Sequence, residues 1–259
     1  MVTGANVQRE LRRAGRIAAF GALTSAMLPC LLVHERVAPP AEKDRVRERW
    51  VAAWCSGLLR VFGVQVLGPV AGDRARGTGR LVVANHRSTA DILVLLRAFG
   101  GHMVSRADLA GWPLVGMAAR AVGTVFVDRS DAVSGANAVR AIRDRLATGH
   151  TVIVFPEGTT FPDDEVRPFH AGAFVAALRS GAEIVPVGLA YATGSGAAFV
   201  NESFPAHLAR MAAASPSNVA MSVGEPIPVR EKARAAQLRD HARSEVQRLV
   251  NASRRVVDG

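Results

Sequence analysis

The sequence predicts an α/β fold: a mixed, mostly parallel sheet flanked by helices, preceded by a membrane-associated helical hairpin. Three observations carry this. From Val64 onward, short β-rich apolar runs alternate with helical stretches. Ahead of them an uncharged, mostly apolar run, Ile17–Val33, follows a basic N-terminus. Between the two, apolar positions recur at helical spacing. With 259 residues the chain suits one domain plus a short appended element. The expected division is 1–63 for the membrane-associated segment and 64–259 for the domain.

Arg9, Arg12, Arg13 and Arg16 precede Ile17–Val33. That run is about seventeen residues long, at the lower limit for spanning a bilayer. Three readings fit it: a secretory signal, one transmembrane helix, or a segment embedded without crossing. His34-Glu35-Arg36 follows directly, where a signal peptide needs a small-residue cleavage site. After the turn Val37-Ala38-Pro39-Pro40, the residues Val46, Trp50, Val51, Trp54, Leu58 and Phe62 recur at three- and four-residue intervals. Arg45, Arg47, Arg49 and Arg60 occupy the other faces. Such a helix lies in a membrane interface or packs on a soluble core.

The expected strands are Val64–Leu67, Leu81–Ala84, His102–Ser105, Thr124–Val127, Val152–Phe155, Ile184–Leu189 and Val219–Val223. Helices are expected over Ile92–Ala98, Trp112–Ala121, Ala132–Ala147 and Ala171–Arg179, then over Glu231–Val250. Ser130 or Asp131 caps the third of these, and Pro113 suits a first helical position. The composition, 49% hydrophobic and 21% charged with mean hydropathy +0.16, is that of a globular chain. The net charge of +10 favours anionic partners. No nucleic-acid-binding signature is present, so nucleic acid is not an expected partner. Cys30 and Cys55 sit in apolar segments and read as small buried hydrophobes. His34, His102, His150, His207 and His241 show no zinc-ligand spacing, so no metal site is expected. No serine has a Gly-x-Ser-x-Gly context, which argues against a nucleophile-elbow hydrolase. Asp163-Asp164-Glu165 reads as a solvated acidic loop.

The sharpest local feature is Asn85-His86-Arg87-Ser88-Thr89-Ala90-Asp91, between the second strand and the first helix of the domain. Open α/β sheets expose working groups at such junctions. A turn there can return the Asp91 carboxylate to one ring nitrogen of His86, leaving the other to act as a general base. Taken alone, the pair also fits a loop histidine beside a helix-capping aspartate. Three further blocks weigh against that. Gly123-Thr124-Val125-Phe126-Val127-Asp128-Arg129 ends a strand with an arginine suited to phosphate or carboxylate. Val154-Phe155-Pro156-Glu157-Gly158-Thr159-Thr160 ends another with a carboxylate, a glycine and hydroxyls. Ile184-Val185-Pro186-Val187 is an apolar strand whose proline suits an edge or a bend.

In this order and spacing the four blocks resemble those of the 1-acylglycerol-3-phosphate acyltransferase family, over about Gln65 to Pro226. The resemblance implies that His86 is the catalytic base and Asp91 its partner. It implies substrate binding by Asn85, Gly123 and Arg129, by Glu157, Gly158 and Thr159, and by His170. It associates Pro186 with the acyl-donor side. Many members carry lysine in a Phe-Lys-x-Gly arrangement, whereas this chain has Phe169-His170-Ala171-Gly172. His170 is then a weaker, pH-dependent holder of phosphate. The implied reaction is fatty acyl transfer from acyl-CoA or an acyl carrier protein to a lysolipid hydroxyl, with no cofactor beyond that co-substrate. The first expectation for the acceptor is 1-acyl-sn-glycerol-3-phosphate, giving phosphatidate in phospholipid synthesis. The alternative is lyso-ornithine lipid or another amino-acid lysolipid, since Trp112-Pro113 and the Glu202-Ser203-Phe204…His207 region are similar to a bacterial subgroup that acts there. A non-catalytic membrane-binding protein is the least favoured reading. If Ile17–Val33 crossed the bilayer with its basic end inside, the site would face away from cytosolic acyl-CoA. The expectation is therefore membrane association on the cytoplasmic face of the inner (plasma) membrane.

Overall fold

The computed structural model describes residues 4–68, 78–112, 115–128, 131–199, 201–230 and 232–259. Helices α1 (Gly4–Val37) and α2 (Lys43–Phe62) form an N-terminal hairpin. They are followed by β1 (Val64–Leu67), β2 (Arg80–Ala84), α3 (Ala90–Phe99), β3 (His102–Arg106), α4 (Val115–Ala121), β4 (Val125–Val127), α5 (Ala132–Ala147) and β5 (Thr151–Val154). The chain ends with α6 (Gly172–Ser180), β6 (Glu183–Tyr191), α7 (Phe204–Ala213), β7 (Ser217–Val223) and α8 (Ala235–Asp258). A 3-10 turn, Ala107–Gly111, precedes α4.

One seven-stranded sheet has the order β1-β7-β6-β2-β5-β3-β4. All neighbours pair in parallel except β6 and β7. The central strands read as continuous apolar runs because both faces are covered. On one face Cys55 and Leu59 of α2, Leu95 of α3 and Ala212 of α7 pack against Val82 and Val187. On the other, Leu146 of α5, Phe174 of α6 and Val246 of α8 pack against Leu81 and Ile184. α8 lies directly on β6: a Cβ at Gly188 would come within 2.2 Å of the Val250 backbone nitrogen.

Of the two readings of α2, the structure supports the one in which it packs on the core. Its apolar stripe (Val46, Val51, Cys55, Leu58, Leu59 and Phe62) is buried and so is not free for a membrane. Trp54 Nε1 donates to Thr24 Oγ1 at 3.1 Å, and Leu23 packs so tightly on Gly57 that a Cβ there would meet it at 2.7 Å. The exposed apolar surface belongs to α1, at Leu11, Ile17, Leu32, Val33 and Val37. α1 has 34 residues and spans about 50 Å. By length and composition it is apolar enough to cross a membrane, and little of its most apolar stretch is buried. Cys30 is exposed on this helix, contrary to expectation, whereas Cys55 is buried and its thiol is pushed up to about 12 by desolvation.

Two more expectations change. β6 is an interior strand, not an edge, although Pro186 lies within it. Pro186 O accepts the Gly224 N–H at 2.9 Å, so the proline nitrogen faces the β7 side. There the ladder shifts by one residue between Ile184↔Ile227 and Val187↔Val223. The missing N–H therefore falls at a bulge in the β6–β7 ladder, a place where proline is tolerated within a sheet. The C-terminal helix begins at Ala235 and runs on to Asp258, and α7 was not expected at all. Asp131 caps α5, its carboxylate accepting the N–H groups of Val133 and Ser134. Pro113 and Ser130 lie outside the described residues, as does Glu231.

Candidate active site

The turn 85–89 leaves the C-terminal end of β2 and enters α3. Its entry is fixed by Asn85, which is buried and exchanges two hydrogen bonds with Leu189 of β6, Nδ2 to O at 3.0 Å and N to Oδ1 at 2.8 Å. Asn85 therefore anchors the turn to the neighbouring strand. His86 follows, with its ring 16% exposed and stacked on Phe155 at 3.8 Å between centroids and 5° between planes.

His86 Nδ1 is 2.9 Å from Asp91 Oδ2. Asp91 is not a helix cap. It lies inside the first turn of α3, fully buried, with its carboxylate turned back over the loop. Oδ2 accepts the Arg87 and Ser88 N–H groups at 2.7 and 2.8 Å, and Oδ1 accepts the Tyr191 hydroxyl at 2.5 Å. With Oδ2 accepting, the neutral ring donates to it from Nδ1, which puts the lone pair on Nε2. Tyr191 is the only tyrosine in the chain. Burial, and then the Asp91 charge, raise its pKa well above the usual value, so it remains a donor.

Glu157 holds the other side of the turn. Its Oε2 accepts the His86 N–H at 2.7 Å and its Oε1 the Arg167 N–H at 2.8 Å. Glu157 is 7% exposed, and desolvation, only partly offset by these hydrogen bonds, pushes its pKa up to about 7. Both oxygens thus serve the backbone of the site. Gly158, with φ +85°, turns the chain away from β5, Thr159 is exposed, and Thr160 Oγ1 donates to Phe199 O. The acidic run is not simply solvated. Asp164 bridges Arg87, next to His86, and Arg254 of α8. Arg254 Nη1 also donates to the Tyr191 carbonyl at 2.7 Å. Arg254, Asp164, Arg87 and Tyr191 therefore brace the dyad from elements distant in sequence.

The structure does not bring every expected residue here. Through the registers of β2, β5, β3 and β4, Gly123 is level with Leu81, at the N-terminal end of parallel strands and three strands from β2. His86 lies beyond the opposite end. Gly123 has φ +73°, and its carbonyl faces His102 Nδ1 at 3.1 Å, so it shapes the entry to β4 instead of contacting the site. Pro186 is buried within the sheet, level with Val83. His170 is exposed and joined to the region through its N–H on Pro156 O at 2.8 Å. Arg129 lies outside the described residues. Among the described residues, no group of three or more His, Cys, Asp or Glu side chains is arranged to hold a metal ion.

Apolar space adjoins the turn. Thr89 and Ala90 line a cavity of about 130 Å³ together with Phe20, Leu93, Phe204 and Leu208. Trp54, Ile92 and Val115 separate it from a second apolar cavity of about 130 Å³ between α1, α2 and α4.

Glu157→Gln tests the support of His86. An amide offers one acceptor and one donor group, so one of the two backbone N–H groups loses its partner, a cost of about 1–3 kcal/mol. In the native protein the raised pKa means that the folded state holds its proton more tightly than the unfolded state. The Glu157 contribution to stability is therefore present at low pH and lost as pH rises from about 4.5 to about 7. Urea denaturation across this range should show that decline in the native protein and a flatter profile in Glu157→Gln.

The acyltransferase family pattern matches residues 70–190. A lyso-ornithine lipid O-acyltransferase of Pseudomonas aeruginosa is 31% identical over 229 residues, covering 85% of each chain. A 1-acyl-sn-glycerol-3-phosphate acyltransferase of Neisseria gonorrhoeae is 30% identical over 146 residues, covering 56% of each. The crystal structure of the 1-acyl-sn-glycerophosphate acyltransferase of Thermotoga maritima shares the fold, with TM-score 0.73 at 22% identity, covering 94% of this chain and 97% of that one. The chain belongs to the acyltransferase family that includes the 1-acyl-sn-glycerol-3-phosphate acyltransferases and the lyso-ornithine lipid O-acyltransferases.

Proposed function

We propose that this acyltransferase moves a fatty acyl group from a thioester, acyl-CoA or acyl carrier protein, to the hydroxyl of lyso-ornithine lipid or a similar amino-acid lysolipid. The observation that carries the acceptor is the Pseudomonas aeruginosa lyso-ornithine lipid O-acyltransferase, similar over 85% of both chains, against 56% for the 1-acyl-sn-glycerol-3-phosphate acyltransferase of Neisseria gonorrhoeae. His170, in place of the lysine that the phosphate-handling pattern favours, points the same way.

In this reading His86 Nε2 takes the proton of the acceptor hydroxyl. The oxygen attacks the thioester carbonyl, the C–S bond breaks, and the imidazolium returns the proton to the leaving thiolate. Asp91 holds the ring and stabilises its charged form, while Tyr191 and the Arg87 and Ser88 N–H groups hold Asp91. The apolar cavities beside Thr89 and Ala90 suit an acyl chain. Acyl-CoA and acyl carrier protein are cytosolic, so α1 enters the membrane from the cytoplasmic face and leaves the site on the donor's side.

The purified protein in neutral detergent, given a radiolabelled acyl donor, should show kcat/KM at least about tenfold higher for lyso-ornithine lipid than for 1-acyl-sn-glycerol-3-phosphate. The reverse preference would overturn the acceptor assignment.

A further inference from the structure

Two peptide units carry the chain from His86 to Ser88, and each is clamped at both ends. Their N–H groups, on Arg87 and Ser88, both reach Asp91 Oδ2. The carbonyl of the first, His86 O, accepts the Phe161 N–H at 2.9 Å. The carbonyl of the second, Arg87 O, accepts the Phe199 N–H at 2.7 Å. Phe161 lies in the loop after β5, but Phe199 comes from an irregular segment, 196–199, between β6 and α7. Phe199 O in turn accepts the Thr160 hydroxyl, so one residue ties the turn after β2 to the loop after β5.

Segment 196–199 is neither helix nor strand, and α7 fixes it instead. Arg210 Nη1 donates to Gly196 O, and Nη2 to Ala198 O at 2.6 Å. Glu202 orients the same guanidinium, with Arg210 Nε 3.3 Å from Oε2 and Nη2 donating to Oε1. His207, fully buried, backs that carboxylate: its Nδ1 is 2.9 Å from Oε1, and its ring lies 4.5 Å from the Phe199 ring between centroids. Asn201, at φ +54°, is the one non-glycine residue among those described in the left-handed region, on the way back to α7. A planar fork of five donors can hold two carbonyls and a carboxylate at once, whereas an ammonium group is a single point of donation. The arrangement fixes the Phe199 N–H relative to Arg87 O. Hydrogen bonds in such a chain support one another. Without the Phe199 bond the Arg87–Ser88 peptide can tilt, which draws the Ser88 N–H away from Asp91 and frees the carboxylate to turn from His86 Nδ1.

We propose that Arg210 is a positioning residue for acyl transfer: through segment 196–199 it holds the Arg87–Ser88 peptide against Asp91 and so keeps the carboxylate aimed at His86. The proposal rests on the reading of His86 as the base and adds to it a brace that reaches the dyad from α7.

The test uses the full chain in neutral detergent with an acyl-CoA donor and, in separate reactions, lyso-ornithine lipid and 1-acyl-sn-glycerol-3-phosphate. Arg210→Ala should lower kcat roughly ten- to a hundredfold with whichever acceptor turns over, and change the KM of donor and lysolipid by less than about threefold. Guanidinium ion at a non-denaturing concentration should recover part of that loss, because the Arg210 side chain is partly exposed and leaves an accessible site. Arg210→Lys, which keeps a charge beside Glu202 but not the fork, should remain impaired. Arg248→Ala, which removes an exposed arginine of α8 paired with Glu245, should behave as the native protein does. A second readout needs no turnover. The low-field proton resonance of His86 Nδ1–H, identified by its absence in His86→Ala, should shift or broaden in Arg210→Ala. Native kcat in folded Arg210→Ala would overturn the proposal, and so would an unmoved resonance. A raised lysolipid KM at unchanged kcat would also overturn it, by assigning Arg210 to acceptor binding. A kcat loss that follows a fallen melting temperature, with no response to guanidinium, would overturn it by assigning Arg210 to the fold alone. Full activity in His86→Ala would count against the base assignment, and the resonance would still decide the brace.

Discussion

His86→Ala should lower acyl transfer on the order of a thousandfold or more while leaving the protein folded. The chemical loss is large because no second described group offers an unprotonated nitrogen held by a buried carboxylate at this strand end. The structural loss is small. The ring is partly exposed and contributes one face of a stack on Phe155, and the turn is held by backbone bonds to Glu157 and Asp91 that alanine retains. Initial rates and a thermal melt on the same preparation check both halves.

Asp91→Asn should cost a similar amount of activity and also some stability. The amide fits best with its nitrogen toward Tyr191, whose hydroxyl can rotate to accept. Its oxygen then faces His86 Nδ1 and the two backbone N–H groups. That arrangement keeps the hydrogen bonds but removes the charge that fixes the tautomer and stabilises the imidazolium. The expected fall in kcat is about 10³-fold or more, with a stability loss of about 1–3 kcal/mol. Asp91→Ala should unfold more readily than Asp91→Asn, because it leaves buried donors with nothing to donate to. Urea midpoints of the two variants, set beside their rates, separate the electrostatic effect from the structural one.

The strands were legible because β2, β5 and β6 are covered on both faces and so read as unbroken apolar runs. Their ends were less so. β6 continues to Tyr191 because its last residues pair with β7, a non-local contact. The sheet order, with β1 and β7 placed beside β6, follows from packing and not from local pattern. α7 is short and follows a Gly-Ser-Gly loop; its readable signal is Ser203, whose hydroxyl accepts the Ala206 N–H at the helix start.

The same distinction holds at the site. His86 and Asp91 are five residues apart, so one turn joins them. Tyr191 reaches Asp91 from 100 residues away, and Arg254 reaches Asp164 from 90. No local spacing reveals these braces. His207 shows the limit equally well. The sequence offered it as a histidine without metal-ligand spacing and within a stretch similar to a bacterial subgroup, but not that it is fully buried with Nδ1 at 2.9 Å from Glu202, where burial lowers its pKa. Gly123, by contrast, was grouped with the site by the family resemblance, although it lies at the end of the sheet opposite His86.

Activation of the acceptor's own hydroxyl by His86 is tested most directly by thiol release from the acyl donor, with the intact mass of the protein followed in parallel. Rapid release should require both the native protein and the lysolipid, with no acyl adduct on the protein and almost no release by His86→Ala. A stoichiometric burst of thiol before lysolipid is added, with an acyl group retained on the protein, would contradict it. So would undiminished lysolipid-dependent release by folded His86→Ala.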